Sequence, residues 1–210
     1  MPTLRRRYIP ILTIMNLSFL NLFLGITLPL FLLDQISKWW IVFSFPEPGY
    51  GVRDIELTSW FHIIRVHNQG VAFGMGNGTT WAPLVFFFVP LLALTGIRYC
   101  WKKCVFHSKA SRIAVSLLLA GIFGNFTDRL FQGFHLVEFA GESFWKRLSE
   151  GYVVDFISIW LPGFAKIMPS SQGWWPTFNV ADSCICVAAG LLFFSGFTEE
   201  KKKSWLRNEN

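Results

Sequence analysis

The sequence predicts an all-α integral membrane protein: four transmembrane helices with a small β-sheet element on the outer side. Three observations predict it. Of 210 residues, 52% are hydrophobic and only 15% charged, against about 25% charged in soluble domains. The apolar residues gather into four stretches, three of them near and the first well above the ~20 residues that cross a hydrocarbon core ~30 Å thick. Basic residues concentrate in alternate flanking segments, as the positive-inside rule requires. Four helices buried in a soluble domain would leave little polar sequence to cover them. The whole chain, 1–210, therefore reads as a single membrane-embedded domain.

The first span covers 12–43, broken by Asp34 and Lys38, with Trp39 and Trp40 as an interfacial belt at its far end. It is longer than one crossing needs, so it tilts or projects. The second span covers 81–101, the third 113–131 and the fourth 181–197. Arg5, Arg6 and Arg7 precede the first span. Arg98, Lys102, Lys103, Lys109 and Arg112 lie around the connection of the second and third. Lys201, Lys202, Lys203 and Arg207 follow the fourth. These are twelve of the 19 basic residues, so both termini are expected in the cytoplasm, with the two long connections outside. The net charge of +6 is matched by anionic inner-leaflet lipid, and no nucleic-acid partner is required. The Arg-rich start resembles a secretory signal, but the apolar run is too long and lacks a small-residue cleavage site; an uncleaved helix is expected.

The four cysteines form no disulfide framework. Cys100 and Cys104 fall on the expected cytoplasmic side, where thiols stay reduced. With His107 they spell a metal pattern that lacks a fourth ligand. Cys184 and Cys186 lie within the fourth span as small apolar residues. No metal or cofactor is expected.

The carboxylates are more telling. At ~1.5 Å per residue, Asp34 lies ~9 Å below Trp40, and Asn125 and Asp128 lie ~18 and ~22 Å along the third span from its cytoplasmic start. Asp182 stands in the first turn of the fourth. Three helices thus bring acids to one depth near the outer surface. Intramembrane acids are rare and usually face the bundle interior. Each alone is explained by an ion pair, such as Asp34 with Lys38 or Asp128 with Arg129; their convergence favours a functional site. Two outer stretches have strand character, 59–68 and the "GYVVDFISIW" stretch, 151–160, which carries Asp155 among Val153, Val154, Phe156 and Ile157. Those neighbours would desolvate Asp155 and raise its pKa.

The motifs "DQISKWW" (34–40), "NQGVAFG" (68–74), "GNFTDR" (124–129), "VVDF" (153–156) and "FNVAD" (178–182) resemble those of bacterial lipoprotein signal peptidase, the signal peptidase II family, in the family's order. The resemblance implies an inner-membrane aspartyl endopeptidase with both termini cytoplasmic and its site near the outer face. Its substrates would be lipidated prolipoproteins, cut just before the diacylglyceryl-modified cysteine. By the same resemblance Asp155 and Asp182 are the catalytic pair. Asp34, Lys38, Asn68, Gly70, Asn125, Asp128, Arg129, Asn179 and Ala181 fall at supporting or substrate-binding positions, and membrane lipid is the other partner.

This sequence departs from the family pattern in two places. Asp128 and Asp155 stand 27 residues apart, farther than in the family. The added stretch contains "LVEF", which mimics "VVDF" and offers Glu138 as a rival acid; "GYVVDF" is the closer match. The connection from Asp155 to Asp182 is also long, and its Trp174 and Trp175 are expected to reach the lipid interface.

Two acids close together share one proton and titrate as a pair. Asp182, at a helix start where the macrodipole favours an anion, is expected to be the ionised partner, with Asp155 protonated. Two rival classes remain: a small proton-coupled transporter, which would string acids along the whole crossing, and a catalytically inactive membrane scaffold, which would not need both acids.

Overall fold

The computed structural model describes residues 19–70 and 82–208. Arg5–Arg7, the start of the first span, the 71–74 part of "NQGVAFG" and Trp81 lie outside them. Helix α1 (Phe19–Ser44) includes a π-helical stretch, Phe23–Thr27. Pro29 lacks an N–H, and its ring crowds the carbonyl of Gly25, so the ladder widens one turn earlier. The loosened turn is held across the bundle by Thr27, whose hydroxyl donates to the Ser116 carbonyl at 2.9 Å. Strands β1 (Ile55–Thr58) and β2 (Phe61–Asn68) follow, then α2 (Ala82–Lys102) with Pro90 inside it.

Helix α3 (Lys109–Phe131) begins four residues before the expected span. Ser108 caps it, its Oγ accepting from the Ser111 N–H at 3.0 Å. Two 3-10 turns, a short helix α4 (Phe144–Ser149) and strand β3 (Val153–Ile159) come next. A short helix α5 (Phe164–Ile167) precedes α6 (Val180–Asn208). The fourth span is expected to end at residue 197, but the helix, 29 residues long, runs on to Asn208. The Glu- and Lys-rich tail is composed of strong helix formers and prolongs it.

Three of these helices are long and apolar enough to cross a membrane: Phe19–Ser44, Lys109–His135 and Val180–Thr198. Their flanks carry Leu32, Leu33, Ile36, Val187, Phe193 and Phe194, all exposed. Such continuous apolar exposure marks a membrane-facing surface.

The three strands form one antiparallel sheet in the order β1-β2-β3. Both stretches with strand character are strands; the four-residue β1, IELT, was not foreseen. The sheet stands at the end of the bundle where α1 and α3 finish and α6 begins. A small apolar core joins it to the helices, formed by Ile41 of α1, Phe45 just past it, Leu136, and Tyr152, Val154 and Phe156 around β3. Arg65 of β2 fastens the joint. Its guanidinium donates to the carbonyls of Val42 and Phe45 at 3.0 and 2.9 Å, satisfying the open end of α1. His67 stacks on Tyr152 with ring centroids 3.7 Å apart. Burial, helped by the Arg65 charge, pushes its pKa down to about 3, so it is neutral.

Helices α3 and α6 meet along a face of small residues. A side chain at Gly124 would stand 2.5 Å from Asp34 Oδ2 and 2.9 Å from the Ala181 methyl; at Gly121 it would stand 2.5 Å from the Ala181 carbonyl. Small residues let membrane helices approach this closely. Gly124→Ala should therefore cost about 1–3 kcal/mol through overpacking, whereas Gly190→Ala, with nothing within 4 Å, should be nearly neutral. Thermal unfolding of both variants in detergent checks the contrast; equal unfolding temperatures would contradict the packing account.

Candidate active site

Helix α6 starts with a reciprocal cap. Asn179 is the N-cap residue, and its Oδ1 accepts from the Asp182 N–H at 2.9 Å. Asp182 Oδ2 accepts in return from the Asn179 N–H at 3.2 Å. This capping box uses Asn and Asp in place of Ser and Glu. Asp182 thus sits at the positive end of the helix dipole because the cap holds it there.

The residue before the cap ties the helix start to the sheet. The Phe178 carbonyl accepts from the N–H groups of Phe156 and Ile157, at 3.1 and 2.8 Å, and Phe178 N–H donates to the Ile157 carbonyl at 3.0 Å. That pairing sets Asp155 of β3 beside Asn179. The Asn179 amide nitrogen donates to Asp155 Oδ1 at 2.7 Å and to Asn125 Oδ1 at 3.1 Å. Asn68, at the end of β2, donates to Asp155 Oδ2 at 2.9 Å, and its own Oδ1 accepts from Gly70 N–H at 3.0 Å. Asn125 of α3 donates to Asp182 Oδ1 at 2.7 Å. Each carboxylate is held at both oxygens, and Asn179 touches both.

Asp155 is 2% exposed. Burial, then the Asp182 charge, raises its pKa to about 7, and the amide hydrogen bonds only partly oppose this. Arg129 donates to the Gly70 carbonyl at 2.9 Å, and its charge acts on both Asp155 and Asp182.

Beneath the pair lies a buried ionic cluster. Lys38 Nζ, 0% exposed, stands 2.8 Å from Asp34 Oδ2 and 3.0 Å from Asp128 Oδ2. It also donates to Asn125 Oδ1 at 2.9 Å. The remaining carboxylate capacity is used structurally. Asp34 Oδ1 accepts from Ala181 N–H of α6 at 2.8 Å, and Asp128 Oδ2 accepts from Val154 N–H of β3 at 3.0 Å. The purely structural explanation of Asp128 offers Arg129 as its ion-pair partner; the close ion pair is with Lys38, because α1 turns that face toward α3. The other such pair, Asp34 with Lys38, is present.

The structure brings every expected site residue into this one network or its rim. Ala181 contributes its backbone N–H and a small side chain against Gly124. Gln35 was missed. Its amide nitrogen donates to Asp128 Oδ1 at 3.0 Å and lies 3.2 Å from Asp34 Oδ2 and the Gly124 carbonyl. A polar residue inside an apolar span is the signal that could have found it.

Glu138 is exposed in a 3-10 turn, away from this network. The long segment between Asp128 and β3 leaves and returns at the same point. At Gly133 any side chain would strike the Arg147 carbonyl, and at Gly151 the Arg129 carbonyl. The segment is therefore a closed excursion that leaves Asp128 bonded to β3. Trp174 turns inward onto His62, with ring centroids 4.6 Å apart, while Trp175 is exposed beside Phe164. Among the described residues no group of three His, Cys, Asp or Glu is arranged to hold a metal ion.

Lys38→Met keeps the side-chain length and leaves two buried acids without a counter-charge. It should destabilise by about 3–5 kcal/mol. Adding Asp34→Asn and Asp128→Asn should recover part of that loss, as read by thermal unfolding in detergent. An unchanged unfolding temperature in Lys38→Met would contradict a stabilising cluster.

Comparison with known proteins places the chain in a family. The family model described as signal peptidase (SPase) II matches residues 26–198. The lipoprotein signal peptidase of Aeromonas hydrophila is 33% identical over 178 residues, 82% of this chain and 86% of the relative. That of Halalkalibacterium halodurans is 30% identical over 183 residues, 87% and 96% of the two chains. A bacterial membrane enzyme solved by the in meso method at 2.3 Å resolution shares the fold with a TM-score of 0.62, at 22% identity over 92% of this chain and 93% of that one. With the family match running from α1 to the apolar part of α6, through every element that lends a residue to the network, the chain belongs to the signal peptidase II family.

Proposed function

We propose that Asp155 and Asp182 are the two acids of a membrane aspartic endopeptidase that removes signal peptides from lipidated prolipoproteins, cutting before the diacylglyceryl-modified cysteine. The observation that carries the assignment is the contrast between two pairs of acids. Asp34 and Asp128 are neutralised by Lys38 and bonded to backbone N–H groups of α6 and β3. Asp155 and Asp182 are instead oriented by neutral amides and a helix start, which leaves their proton exchange free. A proton-coupled transporter would distribute acids along the crossing, whereas all four of these gather at one end.

The chemistry follows from the two environments. Asp155, with its pKa near 7, carries the shared proton. Asp182 takes a proton from water as the water oxygen attacks the scissile carbonyl carbon. Asp155 donates its proton to the carbonyl oxygen, giving a tetrahedral diol. Collapse breaks the C–N bond; the proton on Asp182 passes to the leaving cysteine nitrogen, and a diol hydroxyl returns a proton to Asp155. No cofactor enters this sequence. Asn68, Asn125 and Asn179 orient the acids, while Arg129 and Gly70 form the rim. We assign α2 as a fourth span in a single membrane-embedded domain. The sheet and dyad then lie at the outer, periplasmic face of the bacterial inner membrane, where a substrate keeps its acyl chains in lipid while its scissile bond meets water.

Asp155→Asn and Asp182→Asn should each abolish cleavage of a lipidated precursor nearly as fully as the double change, since coupled catalytic groups are non-additive. Glu138→Gln should retain most activity. Asp155 must be protonated to donate, so activity should fall as pH rises through about 7. The Asn68 hydrogen bond favours the ionised form, so in Asn68→Ala that limb should move to higher pH. Multiplicative losses in the two single variants would contradict the shared-proton mechanism. Separately, tags at either terminus should be protease-protected in spheroplasts and one near Ser171 digested; a digested C-terminal tag would overturn this orientation.

A further inference from the structure

The excursion between α3 and β3 has an apolar surface that packs against little else among the described residues. Val137 is 71% exposed, Phe144 59% and Trp145 75%. These residues are not on a remote loop. The Phe144 ring lies 5.3 Å from Phe134, and the neighbouring His135 ring stands edge-on to Trp39 at 4.8 Å. Trp39 and Trp40 form the aromatic end of α1, and Trp40, Phe43 and Phe131 are themselves exposed at the ends of α1 and α3. Phe144 and Trp145 therefore extend sideways, at the same level, an apolar surface that already faces the membrane. The charged groups of α4 fold back onto the protein itself. Lys146 pairs with Glu150 at 2.5 Å, and Arg147 donates to the Phe134 carbonyl with its guanidinium over that ring. Amphipathic helices with one apolar aromatic face lie in the headgroup region of a bilayer.

From this continuity we propose that residues 137–148 form an interfacial anchor that seats Val137, Phe144 and Trp145 in the outer leaflet's headgroup–acyl boundary. The occupant of this face is phospholipid. The anchor also reaches the catalytic frame. Glu150, just past α4, accepts from Gln69 at 3.3 Å, next to the Asn68 that holds Asp155. Gly133 and Gly151 clamp both ends of the excursion to the end of α3. Lipid contact at Trp145 thereby fixes the height of the β2 end above the bilayer. The proposal requires that the helices cross a membrane but not that the dyad cleaves anything.

The test is photocrosslinking, which reads contact independently of activity. p-Benzoylphenylalanine replaces Trp145 in the full chain, reconstituted in phosphatidylethanolamine–phosphatidylglycerol vesicles and irradiated. Adducts are identified by mass spectrometry. The same probe at Val187, on the exposed flank of α6, reports correct insertion; at Glu56, exposed on β1, it reports the aqueous background. The expected result is phospholipid adducts at 145 within about threefold of those at 187 and at least tenfold above 56. Adducts at 145 no greater than at 56, or adducts to a second copy of the chain, overturn the proposal while leaving the peptidase assignment intact. If the 145 variant does not fold, the probe at Val137 gives the same decision.

Discussion

The buried ammonium of Lys38 is the interaction on which the rest of the site depends. Alone, a charge with no exposure would cost many kcal/mol to bury. With Asp34 and Asp128 at 2.8 and 3.0 Å, the cluster becomes a junction whose geometry is dictated by charge. Each acid passes that constraint outward. Asp34 reaches the backbone of Ala181 and so sets the height of α6; Asp128 reaches Val154 and so sets the height of β3. Asn125, bonded to Lys38, reaches Asp182 directly. Helix start and strand are thus both referenced to one buried nitrogen, and the two exchangeable acids they carry are held in register by it. Replacing such a cluster with apolar residues can leave a protein equally stable. Its presence here is therefore better explained by the positions it fixes than by net stability.

Much of this was legible in the sequence, and the limits are physical. A carboxylate at the start of an apolar helix is a strong signal because it is costly anywhere else, so Asp182 was visible, whereas its reciprocal cap with Asn179 emerges only in the structure. The pairing of Asp34 with Lys38 follows from i,i+4 spacing on one helix. The pairing of Asp128 with Lys38 does not, because it depends on how α1 and α3 rotate against each other. Strand β1 hid because its Ile55–Leu57 alternation spans only four residues, too few to stand out from a loop; pairing with β2 makes it a strand.

The 27-residue separation of Asp128 and Asp155 was the main ambiguity, and backbone contacts show where the added stretch goes. Gly133 and Gly151 allow the excursion to return to the end of α3 with carbonyls pressed against them. An insertion closed at its base adds surface without displacing the strand beyond it. Asp155 therefore remains where Val154 can bond Asp128, and Glu138 is carried outward with the added surface. No side-chain periodicity encodes such closure; only the two glycines hint at it.

The two proposed catalytic acids differ in what stabilises their charge, and this difference assigns their roles. Asp182 accepts from a backbone N–H at the start of a long helix and from Asn125, whose oxygen in turn faces Lys38. It is within one amide of the cluster's positive charge. Asp155 accepts from two neutral amides and is enclosed by Val153, Val154 and Phe156, so its ionised form gains least from its surroundings. When only one proton is shared, it rests where the anion is least favoured. The same arrangement explains why Asn179 sits between the acids. Its amide nitrogen contacts Asp155 and its oxygen caps Asp182's own helix, so any movement that pulled the pair apart would also uncap α6. Helix stability and the spacing of the acids are then enforced by a single side chain.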